Sequence, residues 1–305
     1  MTEEIGARTQ LYSDPQLFLA TWGEALARYE AENNLILGIA GELNLSGLHP
    51  KDVLLGVERN GDTGSSLLLE AAFLHTPPQP LHLSYPISHA GVQEIIQILK
   101  LKGAAPSGVT AHASSSQVFS SLWAEAAGVR ANRVMVLPCY SVSRVALVPD
   151  VAPLLRKATL QDFETIYAWA RDFEREAKVV RAQDDNHHRE KLKKQVEAGC
   201  FYVLQEGELL SMLRVSGNTP NGVRISFVYT PPLLRERGFA TALVANVSHQ
   251  MISAGKRFCF LFADSENQTS NGIYQRIGFE KVCDFHEYEF GKERAEALSV
   301  GLERN

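Results

Sequence analysis

The sequence predicts an α/β fold: a mixed sheet of the α+β kind with helices on its faces, built twice in tandem. Three observations predict it. The chain has 305 residues, 45% hydrophobic and 21% charged. That is a globular composition, at a length that usually divides into two cores rather than enlarging one. Helical and extended periodicities alternate along it. One order of elements (helix, three strands, helix, strand, helix, strand) is read twice, on either side of the unperiodic, proline-bearing VPDVAP at 148–153. The expected organisation is a first unit over 1–149, a second over 154–291 and a charged tail over 292–305.

In the first unit, DPQLFLATWGEALARYEAENNLILGIAGEL reads as helical. Phe18, Trp22 and Leu26, then Leu35, Ile36 and Ile39, recur at three- and four-residue steps. VLLGVE and LLLEAAFL read as a hairpin about NGDTG. TPPQP stops the chain, and LHLSY reads as a third strand. HAGVQEIIQILKLKG is an amphipathic helix stopped by Gly103. GVTAHA is a strand, SSSQVFSSLWAEAAG a helix, and NRVMVLPCYSVSRVALV a long last strand. In the second unit LLRKAT is a strand, LQDFETIYAWARDFERE a helix, and REKLKKQVEAG a second helix ending at Gly199. CFYVLQEGELLSMLRV is a hairpin about Glu206-Gly207. VRISFVYT is a strand, RGFATALVANVSHQMISAG a helix, RFCFLFAD a strand buried on both faces, SNGIYQRIG a helix and FEKVCDFHEYEF the last strand. The strand–helix–strand units imply parallel pairs with right-handed crossovers.

A net charge of -5 supplies no basic field for nucleic acid or anionic membrane. No run approaches the roughly 18 apolar residues of a membrane helix. MTEEIGARTQ has neither the basic start nor the apolar run of a signal peptide, so a cytoplasmic protein is expected. Cys139, Cys200, Cys259 and Cys283 are far apart with no CxxC spacing. Neither a zinc site nor a disulfide framework is expected from them. DDNHH at 184–188 has metal-ligand residue types, but no second cluster completes a set, and a solvated loop is the expectation. HASSS at 112–116 lacks the flanking glycines of a nucleophile elbow.

The chemistry-bearing stretch is YTPPLLRERGFATALVANV. A strand ends at Thr230, two prolines stop it, and a helix starts near Gly238, with Arg235 and Arg237 between. Cations are unfavourable at a helix N-terminus, whose free N–H groups are already positive. They fit there if an anion sits above them, with Gly238 and Ala240 letting the backbone come close. By physics alone, a solvated turn with surface arginines accounts for the stretch equally well. Arg235-x-x-Gly238-x-Ala240 resembles the R/Q-x-x-G-x-G/A signature of the GNAT superfamily of N-acyltransferases. Asn267, Ser270, Tyr274, Gly278 and Phe279 in NQTSNGIYQRIGF look like that family's N-x-x-A/S-x-x-x-Y-x-x-x-G-F motif. The resemblance covers roughly 154–290. The wording is similar to a bacterial subgroup whose N-terminal half is a degenerate GNAT-like fold. The first unit has SYPISHAGVQ where the loop would be, without R-x-x-G.

The resemblance implies tandem GNAT-like acyl-CoA N-acyltransferase folds, with acetyl-CoA as cosubstrate and a small-molecule or peptide primary amine as acceptor. Phe227, Val228, Tyr229 and Thr230 would end a fourth strand beside which the pantetheine arm lies. Arg235, Glu236, Arg237, Gly238, Phe239, Ala240 and Thr241 would cradle the pyrophosphate. Asn267, Ser270 and Asn271 would fix the cofactor arm. A backbone N–H near Tyr229 would hold the oxyanion, and Tyr274 would protonate the thiolate; the alternative for Tyr274 is core packing. Many GNAT enzymes carry a glutamate on the fourth strand as base, and VRISFVYT has no acid. Asp264 is the first candidate base and Glu266 the second, with loop capping by Asp264 or a water chain equally open. Two further readings stay open: a non-catalytic CoA-binding sensor, and an aminoacyl or peptidyl transferase. A homodimer is left open.

One echo needs an explanation. FLHTPPQ at 73–79 and FVYTPPL at 227–233 are offset by 154 residues. The first TPP follows the third strand of its unit, the second follows the fourth. The two are out of phase, and the identity is read as coincidence.

Overall fold

The computed structural model describes residues 2–5, 9–46, 54–60, 68–149, 153–177 and 185–292. The expected turn at 61–64, the centre of the linker at 150–152, residue 184 of DDNHH and the tail beyond 292 lie outside them. The first half runs β1 (Thr2–Ile5), β2 (Thr9–Tyr12), α1 (Pro15–Leu26), α2 (Asn34–Ser46), β3 (Leu54–Asn60), β4 (Leu68–His75), β5 (His82–Leu83), α3 (His89–Leu101), β6 (Gly108–His112), α4 (Ala113–Ala127) and β7 (Val129–Val142). The second runs β8 (Leu154–Lys157), α5 (Phe163–Glu176), α6 (Asp185–Glu197), β9 (Phe201–Glu206), β10 (Glu208–Ser216), β11 (Gly222–Tyr229), α7 (Phe239–Ser253), β12 (Phe258–Phe262), α8 (Gln268–Ile277) and β13 (Glu280–Lys292). From β2 and from β8 onward the order of elements is the same. The segment 76–81, which holds the first TPP, joins β4 to β5. The second TPP follows β11, so the two stretches occupy different places in the repeat.

Three local expectations are corrected. The strands β1 and β2 pair antiparallel at the start, where no alternation marks them. The helical run after Asp14 is interrupted between Leu26 and Asn34. Asn33 breaks it: its Nδ2 donates to Leu26 O at 3.0 Å and Tyr85 O at 2.7 Å, and its Oδ1 accepts from Tyr85 N at 2.8 Å. A side-chain amide that satisfies backbone groups competes with the helix for them. LHLSY contributes only His82–Leu83 as strand.

Strands β1 to β5 form an antiparallel sheet in sequence order, and a second sheet has the order β6-β13-β7-β12-β11-β10-β9-β8. The last strand of each half therefore lies among the strands of the other. β7 pairs antiparallel with both β12 and β13, and β13 also pairs with β6. Both strands are long, 14 and 13 residues, or roughly 45 Å at about 3.3 Å per residue. The exchange reaches into the cores. Tyr140 and Val142 of β7 are buried with α7 and α8, while Tyr288 and Phe290 of β13 pack against α3 and α4. The other faces are covered by α1 and α2 in the first half and by α5 and α6 in the second. Among the described residues, the sheets meet at a parallel bridge, Leu81 to Val109.

The turn between β10 and β11 seals the junction between the halves. Buried Glu30 accepts from Asn221 N at 2.8 Å and Asn221 Nδ2 at 2.7 Å, and Glu42 accepts from Gly217 N at 3.0 Å. Gly38 lies so close that a Cβ there would stand 2.7 Å from Gly217 Cα. Among the described residues, no helix is long and apolar enough to cross a membrane.

Each half alone would lack a central strand and expose apolar residues of its core. Fragments 1–149 and 150–305, expressed separately, are expected to be insoluble or to lack cooperative melting. Co-expressed, they should return a one-to-one complex with a cooperative transition. A single fragment that melts cooperatively as a monomer would contradict the exchange.

Candidate active site

The site begins with a backbone irregularity. β11 and β12 pair in parallel from Gly222/Phe258 to Ile225/Leu261 and then part. On the other side of β11, Met212 faces Tyr229 and Arg214 faces Ser226. Phe227 and Val228 thus stand against the single Leu213. Such a bulge bends its strand and raises its twist. Phe227 takes φ +51, a costly conformation for a bulky residue. Its ring is held by Phe173 at 5.0 Å, Phe201 at 6.3 Å and the Arg214 guanidinium at 4.8 Å. The result is a V-shaped gap. On the β12 side of Ser226–Tyr229 the backbone has no strand partner among the described residues.

Past Pro231 and Pro232 the loop turns into α7. Glu236 at φ +62 and Gly238 at φ +81 are both left-handed, which curls the loop's N–H groups toward one side. Gly238 caps α7 without any side-chain bond. The N–H groups of the first turn, Phe239 to Thr241, lack intrahelical acceptors, and the helix dipole adds positive potential there. In the first half, by contrast, the Ser88 hydroxyl caps α3, accepting from Gly91 N at 3.0 Å.

The two arginines do different things. Arg235 donates Nε to Thr230 O at 2.9 Å and Nη2 to both Glu176 oxygens at 2.8 Å, over the ring of Tyr229. It ties α5, the end of β11 and the loop together. Arg237 lies over the Phe239 ring at 4.9 Å, exposed, with no carboxylate partner among the described residues. The sequence expectation of two arginines sharing an anion thus divides: the charge of Arg235 is already met by Glu176. The Glu176 contact has no local sequence signal, because the partners are 59 residues apart.

Across the gap, Asn267 caps α8, its Oδ1 accepting from Ser270 N at 3.0 Å. Asn271 Nδ2 donates to Asp264 O and Asn267 O, both at 2.9 Å, and its Oδ1 accepts from Tyr140 OH at 3.0 Å. Tyr140 belongs to β7, so the first half braces the helix that carries Tyr274. Sequence reasoning missed this residue because nothing local assigns β7 to this sheet. Tyr274 is buried beside Tyr140 and Phe279. Burial pushes its hydroxyl up to about 12, against a hydrogen bond with Ser270 that lowers it. Asp264 Oδ1 accepts from Glu266 N at 2.9 Å, so it does cap its loop; its other oxygen has no partner among the described residues. Glu266 is exposed. The described part of DDNHH is not the expected solvated loop: Asp185 starts α6, and His188 is buried on that helix, 3.2 Å from Glu174. No group of three metal-ligating side chains exists among the described residues.

Residues 163–279 match the model of the acetyltransferase (GNAT) family. This stretch is a GNAT acetyltransferase domain. It runs from α5 to the C-cap of α8 and holds the gap, the loop and Tyr274. No curated protein sequence matches the chain. Among solved structures, a Drosophila protein from a structural genomics programme is 13% identical with TM-score 0.62, covering 95% of this chain and 100% of that one. A GCN5-related N-acetyltransferase from Sphaerobacter thermophilus is 17% identical with TM-score 0.53, covering 82% and 84%. A GNAT-family acetyltransferase from Colwellia psychrerythraea is 10% identical with TM-score 0.53, covering 95% and 99%. At these identities the likeness is one of fold, and in the first and third cases it extends over both halves.

The wall of the GNAT domain facing the gap is α5, and its start is pinned electrostatically. Arg156 donates Nη1 and Nη2 to Asp162 at 2.7 and 2.8 Å, and Thr159 N donates to Asp162 at 2.7 Å. The Arg156 bond, above all, lowers the Asp162 carboxyl to about 2. A depressed carboxyl stabilises the fold above its unfolded value near 3.8 and loses that contribution as pH falls through the folded value. Asp162→Asn is therefore expected to cost about 1–2 kcal/mol at pH 7, with the difference fading between about pH 4 and pH 2. Urea melts across that range check it.

Proposed function

We propose that the GNAT domain transfers an acetyl group from acetyl-CoA to a primary amine by direct attack. The observation that carries this reading is the bulge-opened gap, with an uncapped, left-handed loop on one side and buried Tyr274 on the other. The donor set suits the cosubstrate. Bare N–H groups at α7 and the free charge of Arg237 suit a diphosphate, and the unpaired edge of β11 suits an amide-bearing arm. Acetyl-CoA supplies the activated thioester.

The chain's own residues do the rest. A backbone N–H on the open edge near Tyr229 holds the carbonyl oxygen as it gains charge. Tyr274 keeps its proton through neutral pH and gives it to the departing sulfur; the desolvation that raises the phenol also raises the proton affinity of that sulfur. Asp264, through its free oxygen, takes the proton of the amine, with Glu266 or a water chain next in order. Holding both reactants at one gap removes much of the entropic barrier.

The absence of an acid on β11 favours a second reading, a sensor that binds CoA without turnover. Calorimetric titration with CoA followed by thiol release over an amine panel separates them. No CoA binding overturns both, and binding without turnover on any amine overturns the transferase. For an active amine, Tyr274→Phe is expected to lower kcat by roughly 10²–10⁴ with CoA affinity retained. Asp264→Asn should lose rate at neutral pH and regain part of it in alkali; an unchanged rate removes Asp264 as base.

The divided arginines give a further expectation. Arg237→Ala should weaken CoA roughly tenfold, the scale of one charge-assisted bond, and flatten its salt dependence. Glu176→Gln frees Arg235 from its tether, and should raise KM for acetyl-CoA several-fold with kcat little changed. Equal salt slopes for wild type and Arg237→Ala would show that Arg237 does not meet the phosphates.

A further inference from the structure

Cys139 and Cys283 stand directly opposite each other on β7 and β13. One sulfur comes from each half, at the seam where the strands are exchanged. Facing residues of an antiparallel pair have Cα atoms about 4.5–5.5 Å apart, inside the roughly 4.4–6.8 Å that a disulfide spans. Their side chains share one side of the sheet, and Cys283 is the neighbour that most raises the Cys139 thiol. Cys139 is fully buried. Its Sγ also meets Asn34 Nδ2 at 3.8 Å and Ala31 O at 3.9 Å. Cys283 is half-buried, so a small solute reaches it first. The register shifts between Lys281 and Cys283, an irregularity that loosens the ladder beside this sulfur. The other two cysteines are placed differently. Cys259 lies in the core under α7 and α8, and Cys200 packs against the core under α5 and α6.

We infer that Cys139 and Cys283 form an oxidative modification site, at which a hydroperoxide converts the facing thiols into a disulfide joining the two halves. The Cys283 sulfur attacks a peroxide oxygen and the O–O bond breaks. The other oxygen leaves with the thiol proton as alcohol, or as water from hydrogen peroxide, and Cys283 becomes a sulfenic acid. The Cys139 sulfur then attacks the Cys283 sulfur. The S–O bond breaks, and hydroxide takes the Cys139 proton and leaves as water. Two electrons pass from the two thiols to the peroxide. The neighbouring Cys283, and then burial, hold the Cys139 thiol well above its ordinary range, which leaves the first attack to Cys283. The alternating pleat puts this pair beside Phe262, the last residue of β12 and Cys139's partner on its other side.

The test uses the full-length protein, treated with hydrogen peroxide, alkylated, digested and read by mass spectrometry. The expected product is a dithiothreitol-reversible peptide pair carrying Cys139 and Cys283, with Cys200 and Cys259 still alkylated. The linkage should vanish in Cys283→Ala, whose melting curve reports whether it has folded. The unmutated protein decides the matter by itself. Cys283 stopping as sulfinic acid with Cys139 still alkylated, or a linkage to Cys200 or Cys259, overturns the inference. Neither outcome depends on the transferase reading, since no acyl chemistry is measured.

Discussion

The insertion of β7 between β12 and β13 is the constraint on which the rest of the structure depends. It decides which side chains fill which core. The α7–α8 core is completed by Tyr140 and Val142, more than a hundred residues upstream of α8, and the α3–α4 core is closed by Tyr288 and Phe290. Neither half completes its burial until both strands are made, so the stability of each is the stability of the whole. The cost falls on kinetics. Pairings between residues 129–142 and 280–292 are far apart in sequence, and loop closure over such distances must precede the contacts that repay it.

The second constraint is local. The backbone at Phe227 is held in a left-handed conformation, at a cost of about 1–3 kcal/mol for a residue of this kind. The aromatic cage from α5 and β9, together with Arg214, keeps it there. The strain has a geometric product, because without the bulge β11 would continue alongside β12 and there would be no gap. The first half shows the contrast. There Ser88 satisfies the start of α3, and no arginine stands in SYPISHAG. A helix start whose own side chain meets its N–H groups has little left to offer an anion. The same order of elements thus gives one half with an open, electropositive helix end and one half with a closed one.

What was legible in the sequence follows from how far each signal reaches. Element order could be read because amphipathic period and turn chemistry act over a few residues. The loop from Arg235 to Ala240 and the segment from Asn267 to Phe279 could be read because their spacing is local. The strand exchange could not, since the alternation in NRVMVLPCYSV is the same whichever sheet receives it. The same blindness hid Tyr140 beside Asn271 and Glu176 beside Arg235. The break at Asn33 escaped for another reason: its periodicity is helical on both sides, and only the Tyr85 backbone 52 residues on makes the interruption favourable. The echo of FLHTPPQ in FVYTPPL carried no structural meaning, because the prolines end strands of different rank.

Taken together, these contacts give the gap two independent supports. On one flank α5 holds the bulge through Phe173 and Phe227, the strand end through Trp169 and Tyr229, and the loop through Glu176 and Arg235. On the other, β7 holds α8 through Tyr140 and Asn271, and Asn271 in turn holds the Asp264 and Asn267 carbonyls. The first support comes from the GNAT domain itself and the second from the first half of the chain. A half whose counterpart helix α3 starts closed therefore still acts on the site, by fixing the helix on which Tyr274 sits. Its contribution is positional, made through one hydroxyl that donates to one amide, and it exists only because the last strands were exchanged.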